Sequence, residues 1–104
     1  MIIREWRGRA QAERAEAYPQ HFRQHVLPEL HRLSGFLGAD LCRRPRGPQI
    51  EFLVLTRWRS MDAIQAFAGT DVGRAVVEPG AVAALTDFDA EVSHYEVIEP
   101  TGAP

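Results

Sequence analysis

The sequence predicts an α+β fold of the ferredoxin-like βαββαβ type, in which a four-stranded antiparallel sheet carries its helices on one face. Strand-like and helix-like patterns follow one another in the order strand, helix, strand, strand, helix, strand. A chain of 104 residues suits one domain with one core. We find no linker or repeat, so we expect a single domain over residues 1–98 and a loose tail over residues 99–104.

The first strand is predicted over residues 2–7, where apolar and charged side chains mix on both faces. Because successive side chains of a strand point to opposite faces, Arg4 and Trp6 share one face.

The first helix is predicted from apolar side chains that recur every three or four residues between Ala15 and Leu33. Pro19 and Pro28 lie within this pattern, so we expect a kinked helix. Gly35 follows it and suits the left-handed conformation that commonly ends a helix.

The centre of the chain reads as a hairpin followed by a helix. We expect strands over residues 36–43 and 49–58, joined by a turn at residues 45–48 that is rich in proline and glycine. Ser60 is a good N-cap for the next helix, and Gly69 lies just past its end.

The last part of the chain is predicted to form a short helix and a strand. Thr70 begins this helix, which is expected to end at Pro79, because the residue before a proline disfavours the helical conformation. The last strand is expected over residues 88–98, where polar and apolar side chains alternate.

The run from Phe52 to Leu55 is apolar at every position, which is typical of a strand that is covered on both faces. The chain has enough predicted helix to cover only one face of its sheet. We therefore expect a second copy to cover the other face, as a homodimer formed through the sheet faces.

Composition excludes several functional classes. The net charge of −2 offers no electrostatic basis for binding nucleic acid or a membrane surface. Cys42 is the single cysteine and no segment resembles a signal peptide or membrane helix, so we expect a cytoplasmic protein. The chain has no lysine, which excludes Schiff-base chemistry and a phosphate-loop lysine, and it has no asparagine.

Four segments resemble the antibiotic biosynthesis monooxygenase family: "SGFLGA", "LTRW", "SMDAIQAF" and "HYEV". The resemblance covers residues 1–98 and implies a dimeric α/β barrel. The members that named the family oxidise aromatic polyketides with molecular oxygen and use no metal or flavin. It therefore implies cofactor-independent oxidation of a small aromatic or quinol-like molecule. A non-catalytic dimeric barrel that binds a small apolar ligand is the alternative.

The resemblance argues against the haem-degrading branch of the family. That branch carries an Asn, a Trp and a haem-ligating His at positions that correspond here to Trp6, Phe67 and Val77. None of the three matches, so we expect no haem degradation.

The histidines are candidates for ligands or bases. His21 and His25 are four residues apart and share one edge of the first helix. A metal site would need a third ligand, for which His94 is the one candidate, so we favour solvated histidines and expect no metal. His94 can be read as a buried structural histidine or as a general base, because its ordinary pKa lies near neutrality.

Arg4 is the other candidate for catalysis. If it points toward the helices, it must be paired with a carboxylate such as Glu91 or Glu96, or it must bind an anion that develops in the reaction. The expected catalytic residues are therefore His94 and Arg4. The expected pocket lies between sheet and helices, with these further lining residues: Trp6, Tyr18, His21, Phe22, His25 and Phe67.

Overall fold

The computed structural model describes residues 1–103 and shows an antiparallel sheet with its helices on one face. The central strand β1 pairs along its whole length with β3, which pairs in turn with β2. Two short strands, β4 and β5, pair with the other edge of β1. The strands are β1 (Ile2–Gln11), β2 (Phe36–Arg46), β3 (Gln49–Trp58), β4 (Asp87–Phe88) and β5 (Ser93–Glu96).

The helical layer consists of short pieces. The first helix is kinked as predicted, because a π-helical segment, Phe22–Val26, separates α1 from α2. No helix within residues 1–103 has both the length and the apolarity needed to cross a membrane. The helices are α1 (Ala17–His21), α2 (Leu27–His31), α3 (Met61–Ala68) and α4 (Pro79–Ala84), and a 3₁₀ turn covers Ala12–Arg14.

The predicted α+β class with an antiparallel sheet is confirmed, and so are the helix signals at Ser60, Gly35 and Gly69. The side chain of Ser60 accepts a hydrogen bond from the backbone N–H of Ala63 at 3.2 Å and so caps α3. Gly69 and Gly35 have φ angles of 80° and 89°, the left-handed region that glycine reaches without a Cβ clash.

The helix predicted from Thr70 is wrong, because residues 70–78 form no helix and α4 instead begins at Pro79. Proline suits the first position of a helix, where its missing N–H has no intrahelical partner to lose. The proline that we expected to end one helix therefore begins another.

The last predicted strand is interrupted between β4 and β5. The backbone N–H of Val92 donates to the carbonyl of Gly73 at 2.9 Å, and that of Ala75 donates to the carbonyl of Ala90 at 2.9 Å. Residues 90–92 therefore pair with the irregular segment that precedes α4, and they leave the edge of β1.

Two further boundaries differ from the prediction. β1 continues to Gln11, because β3 pairs with it as far as Gln49. β2 continues through Pro45 to Arg46, so the hairpin turn is shorter than expected and contains Gly47 at a φ of 58°.

The core lies between the helices and the inner face of the sheet, in two adjoining clusters. Val26, in the π-helical segment, packs against both of them. The larger cluster contains Ala10, Ala15, Tyr18, Phe22, Phe52, Val54, Ala81, Ala84 and Leu85, and the smaller one contains Leu30, Trp58 and Ile64.

The apolar run of β3 divides between the two faces of the sheet. Phe52 and Val54 are buried under the helices, whereas Leu53 and Leu55 lie on the outer face and are half-buried. Their neighbours across the strands are polar or charged as well as apolar, and Glu5, for example, lies opposite Leu55. The outer face is therefore less uniformly apolar than the run alone predicts.

Candidate active site

A partly open cavity of about 60 Å³ lies between the inner face of the sheet and the helices. Strand β1 contributes Arg4 and Trp6, and the helical layer contributes Tyr18 and His21. The other lining residues are Val26, Leu30, Val54, Thr56, Phe67, Val76, Glu78, Ala81 and Val92. The walls are therefore mostly apolar with a few polar groups, which is typical of small-molecule sites.

Arg4 is the cation that lines this cavity, and it is only 5% exposed. Its Nη1 donates to the carbonyl of Val72 at 2.7 Å and to Nε2 of His94 at 2.9 Å, and its Nη2 donates to the carbonyl of Arg74 at 3.0 Å. Guanidinium has five N–H donors, so three are used and two have no protein acceptor within residues 1–103.

No carboxylate neutralises Arg4 in the described part of the chain, and neither Glu91 nor Glu96 pairs with it. Burial lowers the pKa of its guanidinium, because the charged form loses its water. An arginine normally stays charged all the same. The cavity therefore holds a positive charge that only neutral protein groups solvate.

His94 contacts the guanidinium of Arg4 but does not border the cavity. Since an arginine can only donate, Nε2 of His94 must be the unprotonated, accepting nitrogen. Burial, followed by the charge of Arg4, lowers the pKa of His94 and favours this neutral form. The Nε2 lone pair that we expected to act as a base therefore already accepts a hydrogen bond from Arg4.

Aromatic side chains form two walls. The indole N–H of Trp6 donates to the carbonyl of Asp89 at 2.7 Å, so Trp6 offers its ring to the cavity and not its N–H. The ring of Phe67 lies 5.8 Å from the Cζ of Arg4, a distance suited to a cation–π contact.

Tyr18 is 3% exposed, and its hydroxyl makes no hydrogen bond within residues 1–103. Burial raises the pKa of this hydroxyl, and the nearby carboxylate of Glu78 raises it further. The phenol therefore stays protonated and can donate a hydrogen bond to a ligand.

His21 borders the cavity from α1, and its Nε2 is buried without a hydrogen-bond partner in the described chain. Its ring lies 5.4 Å from that of His25 and 6.1 Å from that of Tyr18. His25 is exposed and does not border the cavity.

The cavity thus brings together five of the eight residues chosen from the sequence: Arg4, Trp6, Tyr18, His21 and Phe67. It does not include Phe22, His25 or His94. Phe22 is buried in the larger core cluster, His25 faces outward from the π-helical segment, and His94 is held behind Arg4.

Glu78 is the ionisable lining residue that the sequence did not reveal. It directly precedes α4 as its N-cap, so its place depends on a helix that we predicted to end where it begins. An acidic residue before a proline is an N-terminal helix signal that could have identified it.

No three His, Cys, Asp or Glu side chains within residues 1–103 are grouped so that they could hold a metal ion. The rings of His21 and His25 lie 5.4 Å apart, but no third ligand from the described residues joins them.

Comparison with known proteins identifies the family. The family model for antibiotic biosynthesis monooxygenases (ABM) matches residues 1–79. The chain belongs to this family. No protein with a curated description matches the chain in sequence.

Solved structures share the ABM fold with this chain. A Deinococcus radiodurans structure named for the ABM family has 20% identity and a TM-score of 0.68, over 100% of this chain and 99% of its own. The haem degrader MhuD from Mycobacterium tuberculosis has 21% identity and a TM-score of 0.66, over 98% and 100%. SnoaB from Streptomyces nogalater, a cofactor-independent oxygenase, has 15% identity and a TM-score of 0.55, over 95% and 93%. At these identities the likeness concerns the fold alone.

Proposed function

We propose that this ABM protein oxidises a small electron-rich aromatic molecule, such as a phenol or quinol, with molecular oxygen and no cofactor. The observation that carries the proposal is Arg4 in a cavity walled by aromatic rings. It is a buried cation that, within residues 1–103, has two unused N–H donors and no carboxylate partner. Membership of the ABM family and the likeness to the oxygenase SnoaB support it.

Arg4 supplies the electrostatic part of the chemistry. Its charge stabilises the substrate as a phenolate, and an anion passes electrons to oxygen more readily than the neutral phenol does. In the simplest balanced reaction a phenol becomes a quinone, as the ring C–H para to the phenolic oxygen becomes C=O. One atom of O₂ enters the substrate, and the other leaves as water with the hydrogens of that C–H and of the phenolic O–H, so the substrate is the only reductant.

The other lining groups orient the substrate. The rings of Trp6 and Phe67 provide flat walls, and the hydroxyl of Tyr18 can donate to a second oxygen of the substrate. The sequence suggested that His94 is the base. We instead assign it the role of positioning Arg4, because its Nε2 accepts a hydrogen bond from Nη1 of Arg4.

The volume of the cavity favours a single-ring substrate. Its 60 Å³ is less than half of the about 150 Å³ of an engineered cavity that binds benzene. One ring therefore exceeds this volume, so it must extend into the opening of the cavity or move the walls outward. The wall formed by Val76 and Glu78 lies in the irregular segment before α4, where no helix or strand resists such a movement.

Oxygen uptake with a panel of hydroquinones and anthrones tests the proposal. We expect at least one member to consume oxygen faster than its autoxidation. If none does, and single-ring phenols still bind, the protein is a non-catalytic barrel that holds a small ligand.

We also propose that haem is not a substrate, although the relative MhuD is a haem degrader. The chain lacks asparagine and carries Phe67 and Val77 where the haem-degrading branch has Trp and His. Val77 packs against the larger core cluster. With a reductant present, the Soret band of added haem should persist, and its loss with release of iron would contradict this exclusion.

The active form is proposed to be a cytoplasmic homodimer joined through the outer faces of the sheets. Leu53 and Leu55 support this assembly, since they are apolar and lie on the face without helices. The lone Cys42 is consistent with a reducing compartment.

A further inference from the structure

His21 lies between the cavity and a groove on the protein surface. It borders the cavity on one side and an open groove on the surface of α1 and α4 on the other. No other described residue lines both. The groove is formed with Arg14, Ala17, Gln20, Gln24, His25, Gly80, Ala83 and Ala84.

The ring of His21 is held in an unusual environment. Its Nε2 is buried without a hydrogen-bond partner in the described chain, which is rare for a polar atom of a protein. The Cε1–Nδ1 edge of the ring faces Gly80, where an added Cβ would lie 2.7 Å from both of these atoms. Glycine at this position is therefore what allows the ring to lie between the two helices.

We propose that His21 is the proton-transfer residue of the site and carries the substrate's phenolic proton from the cavity to the groove. The inference rests on the proposed function. The O–H bond of the substrate breaks and an N–H bond forms at one ring nitrogen. The other ring nitrogen releases its proton to water in the groove, so the ring ends neutral.

Several charged and titratable groups surround this path. Tyr18 and Glu78 lie on the cavity side with Arg4, and Arg14 and His25 lie on the groove side. Burial keeps Tyr18 protonated and Arg4 is a cation, so neither accepts a proton near neutral pH. Glu78 is the competing acceptor within the cavity.

The decisive experiment compares two histidine variants on the best hydroquinone or anthrone of the panel. His21→Phe should lower kcat about 100-fold, the usual loss for a general base. His31→Phe is the matched control, because His31 is exposed at the end of α2 and borders neither the cavity nor the groove, and it should keep the wild-type rate. His21→Gln should be as slow as His21→Phe, because it retains polarity but cannot relay a proton.

Chemical rescue separates proton transfer from a structural role. Added imidazole should restore part of the rate of His21→Gly, with a pH dependence set by the imidazole. If His21→Phe or His21→Gln turns over at the wild-type rate, or if imidazole has no effect on His21→Gly, the inference is wrong while the proposed function stands. If wild-type protein consumes no oxygen with any panel member, both are wrong.

A glycine pair provides a second test that leaves the imidazole in place. Gly80→Ala should displace the ring of His21 and lower kcat, while Gly73→Ala should not, since no atom lies within 4 Å of a Cβ at Gly73. Equal rates for the two variants would show that the position of the ring does not matter.

Discussion

Arg4 and Arg9 lie five residues apart on β1. Their side chains are identical, but they lie on opposite faces of the sheet and have different partners. Arg9 points to the outer face, where its guanidinium pairs with Asp87, with Asp89 at 2.7 Å and with Glu51 at 3.6 Å. Arg4 points to the inner face and meets only neutral acceptors.

The pKa values of the two guanidinium groups move in opposite directions. Hydrogen bonds to Asp89 and Asp87 raise the pKa of Arg9, whereas burial lowers that of Arg4. A guanidinium that carboxylates already neutralise attracts a further anion only weakly. The buried charge without a carboxylate is the one that can stabilise an anion formed during a reaction.

The largest expected effect separates these two arginines. Arg4→Gln should lower oxygen uptake by about 100-fold or more, because it removes the cation at the developing phenolate. Arg9→Gln should leave the rate unchanged and lower the free energy of unfolding by about 1 kcal/mol, since two of its partners are largely exposed. Oxygen-electrode rates and urea denaturation measure the two effects. An equal loss of activity in both variants would show that Arg4 has no special role in the reaction.

The outer face can be tested through its assembly. Leu53→Glu places a charge on the proposed dimer interface and should raise the dissociation constant at least about 100-fold, since two buried leucines are lost per dimer. Val82→Glu is the control, because Val82 is 50% exposed on α4 in the helical layer. Sedimentation velocity reports the mass. A wild-type monomer at micromolar concentration would rule out the dimer.

Acid should lower the free energy of unfolding through protonation of Glu51, which lies on the outer face of the sheet. Burial raises the pKa of its carboxyl, but hydrogen bonds and attraction from Arg44 and Arg46 outweigh burial and lower it below the ordinary 4.5. Its contribution to stability is therefore present above pH 4.5 and is lost as the pH falls through the folded pKa. Urea titrations should show a shallower acid limb for Glu51→Gln than for wild type, and identical limbs would contradict this.

The smallest expected effect concerns the inner face and His94. Its folded pKa is lowered below 6.5, so the stability it contributes is full above pH 6.5 and is lost as the pH falls through the folded pKa. Protonation would place two donors against each other at the Arg4–His94 contact. His94→Gln keeps an acceptor and does not titrate. Thermal melts of this variant should therefore lose the decline that wild type shows just below pH 6.5.

Much of the fold could be predicted from local pattern. The strand Gln49–Trp58 and the caps at Ser60, Gly35 and Gly69 follow from side-chain periodicity and turn chemistry over a few residues. The segment before α4 could not be predicted this way. Its backbone pairs with residues 90–92, which no nearby sequence signal indicates.

The site was predictable in part for the same reason. Alternation along β1 placed Arg4 and Trp6 together, and helical spacing brought Tyr18 and His21 to the same layer. The sequence could not show that Glu78 would enter the cavity, because its position depends on where α4 begins.

The sequence by itself determined the order of the main elements and the alternation that puts Arg4 and Trp6 on one face of β1, because each depends on neighbours a few residues away. Only the tertiary structure decided what that arginine contacts. Its acceptors on Val72, Arg74 and His94 lie 68, 70 and 90 residues along the chain. Such contacts depend on the path of the irregular backbone, which brings neutral carbonyls to Arg4, and no carboxylate of residues 1–103 forms an ion pair with it.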